Sequence, residues 1–208
     1  MSTRVDTLTT HDIGEAANVI ATAFGPLAIA HWLVPDDRAE RLRCLREQFA
    51  LQLRNVLVSG HGTVQGVRSG SQLVAVAVWR VQPGSEPPPP SAGYNATLRR
   101  ITGPHYDRFR LLDDLFAQHT PRRPHHHLEL LAAGRQNIGL GSLLLEHYTN
   151  QADHVSGEPR SCHLHASSAD AARLYRRHGF ADDEPVEIPG SEVRIYPMTR
   201  EPRRGVPR

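Results

Sequence analysis

The chain has 208 residues, with no lysine, 24 arginines and 22 acidic residues, for a formal net charge of +2. That length permits one domain with a sizeable core, and scattered arginines among few aromatic residues do not make a nucleic-acid surface. There is no run of 18 apolar residues to cross a membrane and no apolar signal-peptide core in Met1–Thr10. Cys44 and Cys162 are too few for a disulfide framework, so a reducing cytoplasm is the expected compartment.

In chain order, Thr10 is placed to cap a helix running to about Phe24, with Ile13, Ala16, Ile20 and Phe24 on one face. A loop containing Pro26, Trp32 and Pro35 follows. Asp36 or Asp37 caps a second helix with the stripe Leu42, Leu45, Phe49, Leu53 and Val56. Residues 62–68 and 71–81 alternate as two antiparallel strands, the second apolar enough to be buried on both faces. Pro87–Pro90 is a stiff connector to a helical segment at 94–119. Strand 125–133, helix 139–153, strand 161–167, helix 169–178 and a terminal hairpin turning at Pro189-Gly190 complete the order. Arg200–Arg208, rich in proline and arginine, is expected to fray. The expected organisation is a single domain over 1–200 with a tail at 201–208.

The most informative segment lies between strand 125–133 and the helix after it: Gln136-Asn137-Ile138-Gly139-Leu140-Gly141-Ser142. Glycines at a strand-to-helix turn let backbone N–H groups approach an anion, and the helix start adds unsatisfied donors and its positive dipole end. A dinucleotide fingerprint needs a third glycine where Leu144 stands, and a P-loop needs a lysine. Gln136 to Gly141 instead matches the pattern Gln/Arg-x-x-Gly-x-Gly/Ala, and so resembles the pyrophosphate-binding motif of the GNAT acetyltransferase superfamily. A second match follows in Ala171, Leu174, Tyr175, Gly179 and Phe180, with Ser168 in place of a helix-capping asparagine. The text Trp32–Arg38 and the Val78-Trp79 pair also resemble the branch containing puromycin N-acetyltransferase.

The resemblance implies an α/β (α+β) fold, with a central mixed, mostly antiparallel sheet flanked by helices and two parallel, splayed central strands. It implies acetyl-CoA as cosubstrate and direct transfer of the acetyl group to a primary amine, on a small molecule or a protein lysine. Gln136, Asn137, Ile138, Gly139, Leu140, Gly141, Ser142 and Ser168 would then hold the cofactor. Backbone donors among Leu131, Ala132 and Ala133 would polarise the thioester carbonyl, and Tyr175 would serve the departing thiolate.

The residues themselves suggest the base. Positions 125, 127, 129, 131 and 133 alternate onto one strand face, setting His125, His127 and Glu129 in a row. Glu129 acting through water is the first choice and His127 the second; a solvated polar row is the plain alternative. His125, His127, His163 and His165 on neighbouring strands raise a metal reading, but no carboxylate or cysteine completes a recognisable spacing, and no metal is expected. Trp32 and Tyr94 are expected to pack the acceptor, in a pocket formed by the Phe24–Pro35 loop, the Pro87–Tyr94 region and the terminal hairpin. No nucleic acid or membrane partner is expected, and the chain is expected to be a monomer or homodimer.

The loop entering the glycine turn is about two residues shorter than the family pattern, and Asn137 and Ile138 replace its usual Gly-Arg or Gly-Lys pair. That departure supports an alternative: a catalytically weak acyl-CoA-binding module with a regulatory or interaction role.

Overall fold

The structure, a computed structural model, describes residues 4–60, 62–84, 90–134, 139–154 and 159–203. Its elements are β1 (Val5–Thr7), α1 (Ile13–Phe24), α2 (Ala28–Leu33), α3 (Arg38–Ser59), β2 (Gly62–Ser69), β3 (Gln72–Gln82), α4 (Tyr94–Thr102), α5 (Tyr106–Gln118), β4 (His125–Ala133), α6 (Leu140–His154), β5 (Ser161–Ala166), α7 (Ala169–Arg177), β6 (Ala181–Asp182), β7 (Val186–Glu187) and β8 (Arg194–Arg200). The sheet runs β1-β2-β3-β4-β5-β8-β6, with β7 also paired to β8. The β4–β5 pair is parallel and the others are antiparallel. This is the expected mixed α/β architecture. No helix among the described residues is long and apolar enough to cross a membrane.

The continuous apolar run of β3 is explained by what lies above and below it. Val76 and Val78 pack with α1 to α5 on one face, while Ala75, Ala77 and Trp79 pack with α6 on the other. The Trp79 ring stacks on Tyr148 of α6, with centroids 4.0 Å apart and planes 2° from parallel. The Val78-Trp79 pair is therefore core material.

Several local expectations are corrected. Thr9, not Thr10, opens the first helical segment, in a capping box with Asp12. Of the two expected candidates for the α3 cap, Asp37 fills the role, accepting from the Glu40 N–H at 2.9 Å. The Pro26–Pro35 stretch contains the short helix α2. The long 94–119 helix is broken at Gly103-Pro104, because proline carries no N–H and its ring crowds the preceding turn. The Pro189-Gly190 turn is as expected, with Gly190 at φ 72° and the Ile188 N–H donating to the Val193 carbonyl at 2.9 Å.

Arg200 does not begin a frayed tail. It closes β8, only 3% exposed at its side chain, and donates to both oxygens of Asp153 on α6 at 3.0 and 2.5 Å. The Arg203 N–H adds a third bond to Asp153 at 3.2 Å. Burial alone would raise the Asp153 pKa, but the Arg200 and Arg203 bonds hold it below its ordinary value. Asp153→Asn is expected to cost about 2–3 kcal/mol of stability, since the bonds to Arg200 lose their charge assistance. Urea unfolding at neutral pH checks this; a loss under about 0.5 kcal/mol, within the usual surface range, would show the pair to be inert.

Candidate active site

Strands β4 and β5 pair only from His125↔Ser161 to Leu128↔Leu164. Both continue beyond that point, β4 to Ala133 and β5 to Ala166, without facing each other across hydrogen bonds. The split opens a cleft of about 1740 Å³ that runs through the sheet. Gly139, Gly141, Ser142, Ser168 and Tyr175 line one end; Phe24, Leu27, Phe49, Asp113 and Phe116 line the other.

The β4 wall is shaped by a bulge. On the β3 side Val78 pairs with Leu130 and Trp79 with Leu128, so Glu129 is the extra residue, without a partner of its own. The bulge interrupts the alternation expected over 125–133. Glu129 reaches Gln52 of α3 on the α1–α5 face, whereas Leu131 and Ala133 turn to the α6 face. The single row of five side chains is thus corrected to two rows, because an inserted residue reverses the pleat that follows it.

The backbone alternates as well. The Gly134 N–H donates to Val74 of β3 at 2.8 Å, and Ala132 lies opposite Val76 in the same ladder. By the two-residue period, the N–H groups of Leu131 and Ala133 point the other way, into the split left by β5. Of the three expected backbone donors, Ala132 therefore belongs to the β3 ladder, while Leu131 and Ala133 face the cleft.

At the cofactor end, the two glycines have different tasks. Gly139 stands at φ 82° in open space, a conformation that side chains disfavour. A side chain at Gly141 would meet Leu174 of α7 at 3.3 Å, so this glycine lets α6 and α7 approach. The Gly139 carbonyl accepts from Leu143 at 2.9 Å, and the first N–H groups of α6, at Leu140, Gly141 and Ser142, have no backbone acceptor among the described residues. The Ser142 hydroxyl lies 2.9 Å from His178 Nε2. Ser168 caps α7 as expected, accepting from the Ala171 N–H at 3.1 Å. Gln136, Asn137 and Ile138 lie outside the described residues.

Tyr175, in the last turn of α7, is 8% exposed and lines the cleft. Its ring packs edge-on to Phe180 with centroids 5.9 Å apart. Burial raises its phenol above the ordinary value, so it stays protonated through the neutral range.

Glu129 lies 2.5 Å from Arg80 Nε and accepts from Gln52 Nε2 at 3.2 Å. By distance Arg80 and Glu129 form an ion pair, yet the Arg80 N–H has no well-aimed acceptor. Burial raises the Glu129 carboxyl pKa, and Arg80 only partly offsets this. His127 is held neutral: burial lowers its pKa well below the ordinary value, with help from neighbouring imidazoles and Arg80. His125, His127, His163 and His165 do converge, with ring centroids 4.8–5.8 Å apart in neighbouring pairs. Among the described residues no group of three such ligands is arranged to hold a metal ion.

Trp32 and Tyr94 are not among the cleft-lining residues; both pack on the core under α1 to α5. The α1–α2 segment does line the cleft, as expected, through residues such as Phe24, Leu27 and Leu33. Pro87–Pro89 lie outside the described residues. Two contributors escape the sequence reading. Arg41 is buried and donates to the carbonyls of Gly25, Val34 and Asp36, fastening the segment that walls the cleft. Its signal is its place in the helical stripe with Leu45, Phe49 and Leu53. Asp113 shares the spacing of Phe109 and Phe116, an acid within an apolar stripe.

No family model matches the chain. Among solved structures, it is similar to the histone acetyltransferase HPA2 and related acetyltransferase of Corynebacterium glutamicum, at 25% identity and a TM-score of 0.70, over 100% of this chain and 99% of that one. A GNAT-family acetyltransferase from Desulfovibrio desulfuricans matches at 13% identity and TM-score 0.58, over 96% of this chain and 99% of that one. The chain has the GNAT fold. A third GNAT-like neighbour, the PaiA N-acetyltransferase of Thermoplasma acidophilum in complex with coenzyme A, matches at 13% identity and TM-score 0.59, over 97% and 99% of the two chains. The split between β4 and β5 and the glycine turn beside it are therefore the parts of the GNAT fold on which a functional argument has to rest.

Proposed function

We propose that this chain is an acetyl-CoA-dependent N-acetyltransferase that moves the acetyl group directly to a primary amine, on a small molecule or a protein lysine. The observation that carries the reading is the open split between β4 and β5, with the start of α6 at one end and Tyr175 beside it. The coenzyme A held by the Thermoplasma protein supports it.

The chemistry sets three demands. An alkylamine, with a pKa near ~10, arrives largely as ammonium and must lose a proton. The thioester carbonyl gains negative charge in the tetrahedral intermediate, and the thiolate must be stabilised as it leaves. The N–H groups of Leu131 and Ala133 suit the second demand and the Tyr175 hydroxyl the third. The first α6 donors, Leu140 to Ser142, suit the pyrophosphate. Overall, ammonium and thioester give amide, thiol and one released proton.

Glu129 is the base in this reading, acting through a water, with His127 as the second choice. A carboxylate with a raised pKa is basic only above that value, so the rate should fall on the acid side as Glu129 takes a proton. The expected result is that Glu129→Gln lowers kcat/KM at least about tenfold at pH 7 and removes that acid limb. His127→Ala should cost less, since its imidazole is a weak base in this setting. If neither substitution reaches tenfold, neither side chain is the base.

Calorimetric titration with acetyl-CoA tests the whole reading. Binding with turnover of an amine is expected; no binding at millimolar cofactor rejects it. Binding without turnover across an acceptor panel favours the alternative, an acyl-CoA-binding module with a regulatory or interaction role. The shortened loop entering the glycine turn, where Asn137 and Ile138 also replace the usual Gly-Arg or Gly-Lys pair, is the feature that favours that alternative.

A further inference from the structure

Asp113 has no part in the chemistry above, yet it lines the cleft, and its carboxylate side chain is 52% exposed. We propose that Asp113 anchors the acceptor as a cation, and that the acceptor is a singly charged primary ammonium on an apolar body. The inference rests on the acetyltransferase reading and narrows its acceptor.

Charge accounting in the cleft singles out this residue. Among the described residues, three carboxylates line it: Asp113, Glu129 and Asp170. Glu129 is matched by Arg80 at 2.5 Å and by Gln52. Asp170 stands on α7 at the cofactor end, paired with Arg173 at 2.6 Å. Asp113 has only Arg110, one turn back on α5, at 3.5 Å, and the same guanidinium is drawn to Asp114 at 3.2 Å. Its negative charge is therefore weakly compensated on the protein side and accessible from the cleft. Surrounding protein and the nearby acids Asp114 and Glu129 raise its pKa to about 6, and a bound cation would relieve that penalty.

The walls define the rest of the ligand. Phe24, Leu27, Phe49, Leu112 and Phe116 line the same cleft as the carboxylate, Leu112 and Phe116 from its own helix. Removing an apolar body from water there is favourable. A polyamine would bring two or more charges to a site with one uncompensated carboxylate, and it has no large apolar body for these walls. A single ammonium on an aromatic or branched aliphatic frame satisfies both features.

The test uses a pair of ligands that cannot be acetylated: phenethyltrimethylammonium and its neutral isostere, in which a carbon replaces the nitrogen. With the full chain, calorimetry should show the cation bound about tenfold or more tightly than the isostere, as a half-exposed ion contact allows. Asp113→Asn should reduce the preference to within about twofold, Asp113→Glu should restore it, and Asp114→Asn should leave it intact. A preference that survives Asp113→Asn, or no preference in the unaltered chain, overturns the proposal. Parallel titration with acetyl-CoA keeps the two readings apart: its failure rejects the cofactor assignment, while the cation preference is measured without it.

Discussion

Tyr175→Phe is expected to lower kcat by about 10²- to 10⁴-fold, the range for loss of a positioned proton donor, with KM for acetyl-CoA changed less than about threefold. The substitution removes one oxygen and leaves the ring against Phe180. The hydroxyl has no hydrogen-bond partner among the described residues, so its removal orphans nothing in the fold, and melting temperature should hardly move. A phenol whose pKa is raised above roughly 10 cannot hand its proton downhill to a thiolate near 8.5. In the proposed reaction its contribution would be a hydrogen bond that strengthens as charge gathers on sulfur. Two further consequences follow. Activity should show no alkaline decline from Tyr175 below its raised pKa, and a thioester with a better leaving group should narrow the gap between the variant and the unaltered enzyme. A kcat within threefold of the unaltered value would assign Tyr175 to the core alone.

Acid lability is the second large effect. His163 is fully buried with its pKa lowered to about 3, and His165 is lowered to about 4; in both, burial is the main cause. In the unfolded chain each imidazole returns to about 6.5. As pH falls below that value the unfolded state takes up protons that the native state refuses, so stability declines until the folded values are reached. Two such groups give a slope of about 2.7 kcal/mol per pH unit, or about 5 kcal/mol between pH 6.5 and 4.5. His127 and His125 act in the same direction. The Asp153–Arg200 pair does not contribute in this window: its carboxyl pKa is lowered, so its share is present above the unfolded value near 3.9 and lost only below it. Urea unfolding at pH 7, 6 and 5 should show the decline, and His163→Gln should flatten it by about one proton. A stability unchanged from pH 6.5 to 5 would mean that the native state takes up these protons, with the cluster open to solvent.

Much of this site can be read from residue order alone. Gly139 and Gly141 announce a strand-to-helix turn because a positive φ and a close helix approach exclude side chains. Ser168 announces a cap because its hydroxyl can reach the N–H three residues on. The run in β3 announces burial on both faces. These are local effects of backbone geometry and hydrophobic period, expressed within a few residues.

What escaped notice depends on neighbours remote in sequence. The bulge at Glu129 arises from the pairing of β4 with β3, and no feature of 125–133 alone marks the extra residue. It decided that Glu129 faces α3 and Arg80 while Leu131 and Ala133 turn toward α6. Trp32 packs partly buried against the core of α1 to α5, and is not among the residues that line the cleft. Asp113 is one acid among several on its helix, and only the cleft distinguishes it. The sequence by itself determined most of the elements, though not α2 or the break at Gly103-Pro104, together with the anion-ready turn and the position of Tyr175 in its helix, because those follow from short-range sterics and periodicity. Only the tertiary structure decided which backbone donors and which carboxylate face the cleft, because strand register and the split between β4 and β5 are set by contacts across the whole sheet.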